Sequence, residues 1–583
     1  LVRWERKFSA ALESLETRRL MAVSMDSKGW TNITPSSDTK TIYVSSSSGS
    51  DSNSGLSASS PVKTIAKGAS LMRTESPDWL LLKKGDVFYE NIPTWKKSGR
   101  SAEEPMLISS YGTGERPWLK TGATRGFYSY TPFHDLAMIG LKFEANTRNP
   151  DSPDFTGNTA GGYGFQTVGP INGLLVEDCS FDHYVYNMSI QGFSGYAKNI
   201  AIRRSELTNS YAIDAKCVGL YASKTEGMLL EGNLFDHNGW NEEVPGGMLH
   251  MSHNIYLWQD NKNPIIRGNI ISDGGSHGLQ ARGGGTIENN LFLRNPIALL
   301  VGNGSEVTPG GVAAKVSGNV FLNSRDSAGA PRGWAIELGN IKAGGGSYVR
   351  DNIIAQDNEN NFPAIKLETA TGASNASAGV GINDVTIERN IVYDWNQALN
   401  VGTNFVLGGT GQKGFNDVVI RNNDFQMTTS QKIINQPQAY NAAGEDFSNN
   451  RYYNASSSVG WFYLNKTKTS LDTWKNVVEP DAQNKKVTYF DPARDVEKYN
   501  ASLGGSATRN AFLANVYDQS KKDWDTRYTA AAVNAYVRAG FAGGATLSSL
   551  PSQPEPVTIP DSGAAPPVTD PDPVVTPPTG HTA

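Results

Sequence analysis

A right-handed parallel β-helix, an all-β solenoid, is the fold predicted for the middle of this 583-residue chain, on three observations. A short apolar strand followed by Asn and another apolar residue recurs many times, a second short strand follows each such unit, and the connections vary in length while the strands do not. Fixed strands with variable connections mark coils stacked along an axis, where insertions leave at the corners.

The first strands and their Asn come in order as MLLEGNLF ending at Phe235, PIIRGNII at Ile271, GTIENNLF at Phe292, AAKVSGNVF at Phe321, SYVRDNII at Ile354, VTIERNIV at Val392 and VVIRNNDF at Phe425. LLVEDCSF and IAIRRSEL carry Cys179 and Ser205 at the Asn position, and EDFSNNRY closes the series with Asn450. Successive Asn from Asn233 to Asn450 are 21 to 38 residues apart. The runs are too short for amphipathic helices. A β-sandwich, the runner-up, gives no reason for Asn at one fixed place. In a coil, Asn can occupy a left-handed corner while its amide bonds to the Asn above and below.

The second strands are read as YNMSIQ, YAIDAK, HNIYLWQ, HGLQAR, PIALLV, WAIELG, PAIKLE and QALNVG. Alternation turns Met188, Ile213, Ile255, Leu279, Ile297, Ile336, Ile365 and Leu399 inward. Two outward columns follow, one of Ser189, Asp214, Tyr256, Gln280, Ala298, Glu337 and Lys366, the next of Gln191, Lys216, Trp258, Arg282, Leu300, Gly339 and Glu368.

The chain divides into an export or processing segment (residues 1–36), the β-helix with its N-terminal cap (37–455), a region of loops and short helices packed on the solenoid (456–549) and a Pro-rich disordered tail (550–583). An open solenoid end exposes unpaired backbone and core, so a cap is expected, with a short helix around Pro61 to Leu71. SLDTWKNVV, RNAFLANVYDQSKKD and TRYTAAAVNAYVRAGF have helical spacing, the last stopping at Gly540. The formal charge of -5 gives no global attraction for nucleic acid or an anionic membrane. No run of 18 apolar residues predicts a membrane-spanning helix. Two cysteines exclude a disulfide-dense scaffold and read as buried free thiols. A monomer is expected.

The Tyr43-Val44 opening, the Gly-Ser-Asp loop, the Pro61 to Ile65 segment and the Asn-bearing coils resemble the pectate-lyase-like superfamily of right-handed β-helices over roughly residues 40 to 455. That resemblance implies a polysaccharide substrate and leaves open lyase, hydrolase, epimerase, esterase and tailspike roles. The run Leu12 to Met21 resembles the LEPR-type N-terminal motif of exported planctomycete proteins, with Thr17 where that motif has Pro. It implies a secreted or cell-surface protein.

His253 and His277 align one coil apart, among only seven His in the chain. Their parity matches Ile255 and Leu279, which leaves a structural corner role open beside a catalytic one. With Tyr256 and Arg282 they form the candidate catalytic set, and Asp214, Lys216, Trp258, Gln280 and Glu337 the candidate substrate-binding set. Aromatic rings ringed by both charges suit a sugar. For β-elimination at a uronic acid, or C5 epimerisation, Arg282 and Lys216 would neutralise the carboxylate of an acidic polysaccharide, His277 or His253 would take the proton, and Tyr256 would protonate the leaving oxygen. The alternatives are a glycoside hydrolase drawing a carboxylate pair from Asp236, Glu242, Glu243, Asp260 and Asp273, and a non-catalytic glycan-binding surface protein. No resident metal is predicted. Calcium is suggested only by the Gly49 to Gly55 loop, which lacks the spacing of an EF-hand and reads as a plain loop.

Overall fold

A computed structural model describes residues 23–543 apart from 158–160, 214, 245–250, 305, 328–329, 358–361, 369–378, 403–404, 407–411, 429–431 and 456–458. The expected LEPR-like run and Pro-rich tail lie outside the described residues, as does Asp214. The solenoid has three faces, each a long parallel sheet. The first runs from Thr41–Val44 to Glu445–Ser448, the second from Val87–Phe88 to Gln483–Asn484, and the third from Phe127–Ser129 to Val459–Leu464, edged by antiparallel Thr467–Ser470. One coil visits them in turn, as in Leu229–Glu231, Leu234–Asp236 and His253–Leu257. Like residues stack inside: Phe127 on Phe165 at 4.5 Å, Phe292 on Phe321 at 4.6 Å.

The recurring Asn stands at the corner between the first and second sheets. Each Asn Oδ1 accepts from the backbone N and Nδ2 of the preceding coil's Asn, without a break from Asn233 to Asn450. Ser205 and Cys179 extend the series, since Ser205 N donates to Asn233 Oδ1 and Cys179 N to Ser205 Oγ. One expectation changes. The left-handed residue is the one before the ladder Asn: Gly232, Gly268, Asn289, Gly318, Asp351, Arg389, Asn422 and Asn449 all have φ between 53° and 69°. That upstream residue makes the bend, where Gly, Asn and Asp carry the smallest penalty. The ladder Asn is left free to bond along the axis.

At the far end the ladder meets Glu479, whose Oε1 accepts from Asn450 N at 2.7 Å and Nδ2 at 3.1 Å, and whose Oε2 accepts from Tyr452 Oη at 2.6 Å and Trp474 Nε1 at 3.3 Å. Burial pushes Glu479 up to about 7 despite these donors, and does the same to Glu445 nearby. A raised folded pKa means the Glu479 contribution is full below about 4.5 and is lost as pH rises through 7. The stability of Glu479→Gln relative to wild type should therefore climb by roughly 3 kcal/mol between pH 4.5 and 8 in urea titrations. A flat difference would show that the donors, not burial, set this group.

The helices sit on the outer side of the second sheet. Leu234, Ile270, Leu291, Val320, Ile353 and Ile391 form an apolar outward column there, covered by Phe512, Val516, Val533, Val537 and Phe541 from Arg509–Tyr517, Ala530–Gly540 and the turn after it. The sequence reading missed the helix Val496–Ser502, whose seven residues carry too few turns to show a period. At the opposite end, the capping helix Ile65–Leu71 starts at Thr64. Asp51 of the Gly-Ser-Asp loop accepts from Lys63 N, Thr64 N and Thr64 Oγ1, so its carboxylate braces the cap. Cys179 and Cys217 are free and buried, as expected.

Candidate active site

Most of the candidate residues lie on the third sheet, and its register corrects several positions. Met188, Leu220, Ile255, Leu279, Leu299, Ile336, Ile365 and Leu399 pair in series along the core. Leu220 replaces Ile213 because the strand of that coil is Val218–Ser223, not YAIDAK; Leu299 replaces Ile297 by a shift of two. The outward column accordingly reads Ser189, Tyr221, Tyr256, Gln280, Leu300, Glu337 and Lys366. Tyr221 stands where Asp214 was expected. Lys216 is exposed on the loop ahead of the strand, so it belongs to no column.

The parity of the two imidazoles also changes. His253 pairs with His277, but the residues after them, Asn254 and Gly278, both turn inward. Asn254 is fully buried in a second amide chain at this corner: Asn187 Nδ2 donates to Asn238 Oδ1, Asn238 Nδ2 to Asn254 Oδ1 and Asn254 Nδ2 to Asn295 Oδ1. A Cβ on Gly278 would lie 2.7 Å from the Ala298 carbonyl, so this strand has no room for a side chain there. Two consecutive inward residues break the alternation. His253 and His277 thus share the outer side with Tyr256 and Gln280, and the His253 ring lies 5.0 Å from that of Tyr256.

The imidazoles touch through Nδ1 atoms 3.2 Å apart, and Ser276 Oγ lies 3.1 Å from His277 Nδ1. A short Nδ1 to Nδ1 contact needs one donor and one acceptor, hence at least one neutral ring. Burial, then the charges of Arg282 and Lys216, bring His253 down to about 3; burial, His253, Arg282 and Arg332 hold His277 well below the usual range. Both rings therefore stabilise the fold above 6.5, and the His253 share is lost as pH falls toward 3. NMR of the ring protons should show the His253 signal unmoved down to about pH 4 and the His277 signal without a midpoint near 6.5; a midpoint near 6.5 would mean the rings are hydrated. His277 Nε2 is buried with no hydrogen-bond partner among the described residues.

His277 lines a cleft of about 350 Å³ with Gln280, Leu300, Asn303, Arg332, Trp334, Glu337, Lys366 and Glu368. Lys366 Nζ lies 3.5 Å from Glu337 Oε2, contacts Glu368 Oε2, and sits 4.8 Å from the centre of the Trp334 ring. Asn303 Nδ2 donates to Glu337 Oε1 at 2.8 Å. Burial outweighs Lys366 and raises the Glu337 pKa. Because both carboxylates reach one ammonium, their facing oxygens are no more than about 6 Å apart, close enough to act on one glycosidic bond. Toward the N-terminal coils an aromatic row leads away through Tyr163, Tyr186, Tyr221, Tyr256 and Trp258, each ring 5.0 to 6.4 Å from the next.

Of the predicted residues, the structure brings together His253, His277, Tyr256, Gln280, Trp258 and Arg282, with Glu337 further along the same face. Arg282 is pinned over the rings of Tyr256, at 5.0 Å, and Trp258, at 4.6 Å, outside the cleft lining. The carboxylates proposed around the insertion present no open pair among the described residues: Asp236, raised to about 6 by burial and by the charge of Asp273, is buried as Asp273 is, and Glu243 is exposed. Asp236 accepts from Tyr517 Oη under the helices, Asp273 faces Arg294, Arg325 and Arg509, Glu242 pairs with His237, and Asp260 accepts from Lys224 N. The sequence reading missed Arg332, Asn303 and Trp334, and did not join Glu337 to Glu368. A signal for the last existed, since WAIELG and PAIKLE are adjacent second strands and place Glu337 beside Lys366.

Residues 154–328 match the family model of the right handed β-helix region, and with the three parallel sheets this makes the chain a right-handed parallel β-helix. One stretch of 102 residues, 17% of this chain, is 30% identical to a lacto-N-biosidase of Bifidobacterium longum subsp. longum, and spans 6% of that protein's length. Among solved structures, the GH136 lacto-N-biosidase from Eubacterium ramulus is 12% identical at a TM-score of 0.34, covering 76% of this chain and 67% of its own. A rhamnogalacturonan lyase is 17% identical at 0.34, covering 70% and 87%. PfbA, a surface adhesin of Streptococcus pneumoniae, is 12% identical at 0.34, covering 64% and 85%. Scores of this size single out no activity. No helix among the described residues is long and apolar enough to cross a membrane.

Proposed function

We propose that this protein is a carbohydrate-active enzyme, working outside the cell, that hydrolyses a glycosidic bond in the cleft of the third sheet. The observation behind this reading is the pair of carboxylates, Glu337 and Glu368, gathered on one ammonium in the cleft. Glu337 is the acid: it is buried, and burial raises its pKa although Lys366 and the Asn303 amide pull the other way. Glu368, more open and beside Lys366, is the nucleophile. In this scheme Glu337 protonates the leaving oxygen while Glu368 attacks the anomeric carbon; water then releases the sugar as Glu337 takes back its proton. Trp334 supplies an apolar ring surface to the sugar. The short match to a lacto-N-biosidase is consistent with this reading.

A second reading, β-elimination or C5 epimerisation at a uronic acid, is favoured by one observation, the neutral His277 whose Nε2 is buried beside the cleft with no hydrogen-bond partner among the described residues. His277 would take the C5 proton, Arg332 would neutralise the carboxylate, and Tyr256, whose phenol burial keeps protonated, would serve as acid. Glu368 weighs against it, because it would repel a uronate in the same cleft. Incubation with neutral and acidic glycans, following reducing ends and the ultraviolet absorbance of unsaturated products, separates the two. Reducing ends without absorbance support hydrolysis, both together support elimination, and binding with neither supports an epimerase if C5 protons exchange with deuterated solvent and a glycan-binding protein if they do not.

A further inference from the structure

We infer that Glu144, Asp182 and His183 form a binding site for a divalent transition-metal ion, on the second sheet and apart from the cleft. Glu144 and Asp182 are register partners in adjacent coils, so two carboxylates stand directly opposite one another. Like charges in that relation repel unless a cation lies between them. A carboxylate oxygen from each residue and a ring nitrogen of His183 all lie within 4.8 Å of one another.

The independent observation is Glu144. Its side chain is 2% exposed, Oε1 accepts from Asn149 Nδ2 at 2.5 Å, and Oε2 is buried with no hydrogen-bond partner among the described residues. Lys120, the register partner of Glu144 in the preceding coil, pairs with Asp154 at 2.9 Å and lies over the rings of Trp118 and Tyr89; it offsets part of the Glu144 charge without bonding to Oε2. The other two ligands are fixed in advance. Asp182 Oδ1 accepts from Thr208 Oγ1 and Asn209 Nδ2, which leaves Oδ2 for the site. His183 is held in the left-handed region at φ 63°, its carbonyl accepting from Arg148 Nε, and its Nδ1 stands 2.9 Å from Asp182 Oδ2. At bond lengths of about 2.1 Å, cis ligands of a six-coordinate ion stand about 3.0 Å apart and those of a tetrahedral ion about 3.4 Å, so the pair suits the first directly and the second after a shift of about 0.5 Å. Two carboxylates and one imidazole suit zinc or manganese, whereas calcium prefers six or more oxygens.

The test uses the full chain without an affinity tag, stripped with a chelator, dialysed, and titrated with zinc chloride and separately with manganese chloride. One equivalent of at least one ion should be retained through gel filtration and raise the thermal midpoint. Glu144→Gln, which keeps the shape, and His183→Asn, which tolerates the left-handed backbone, should each weaken binding about tenfold or more. Should one variant fail to fold, the other gives the same reading. No retained ion and no thermal shift for the wild type, or retention unchanged in a folded variant, would overturn the site.

Discussion

Asn319→Leu should unfold the centre of the solenoid at markedly lower urea than the wild type. Asn319 Oδ1 accepts from Asn290 N and Nδ2, and its Nδ2 donates to the Ile287 and Ser317 carbonyls and to Asn352 Oδ1. Leucine fills the volume but leaves those partners buried and unpaired, at about 1–3 kcal/mol each before relaxation. A loss of roughly 5 kcal/mol is expected, among the largest single-residue effects. The control is Asn416→Ala on the exposed side, whose amide also reaches an Asn one coil away, Asn383. Water replaces that bond, so its effect should stay within about 0.5 kcal/mol. Equal shifts in the two variants would mean that the buried ladder is no stronger than a surface contact.

Glu368→Gln should abolish glycoside cleavage for every substrate, and Glu337→Gln should do so selectively. On the proposed mechanism Glu368 is the nucleophile, and its removal leaves nothing to form the glycosyl intermediate. Removing the acid matters in proportion to how much the leaving oxygen needs a proton. Natural oligosaccharides should slow by about 10²–10⁴-fold in Glu337→Gln, while aryl glycosides with acidic leaving groups should be far less affected. Equal losses on both substrates would remove Glu337 from the acid role. Full activity in both variants, with loss in His277→Ala, would move the chemistry to the imidazole pair.

The coil repeat was legible because one buried amide per coil must satisfy its own neighbours, so selection of residue type at Asn233 through Asn450 leaves a written period. The second amide chain was not, since Asn187, Asn238, Asn254 and Asn295 alternate between a strand start and a turn and share no flanking pattern. The same corner hid the direction of His253 and His277: strict alternation fails wherever two successive residues face the core. The strand Val218–Ser223 was misplaced because YAIDAK alternates equally well by itself, and only pairing with Tyr186–Gln191 decides between them. Glu337, Lys366 and Glu368 are legible as column members, whereas Asn303 and Arg332 come from connections whose path no period describes.

The third sheet is also a ruler. From Tyr221 to Lys366 the outward column climbs five coils, about 24 Å at the usual strand spacing. A pyranose is about as long as one coil is thick, so a glycan laid along the axis meets a fresh rung with nearly every sugar, aromatic at one end and charged at the other. Affinity should then grow with each unit added until the row is filled and stop growing beyond it, which makes the length of the preferred oligosaccharide a count of coils.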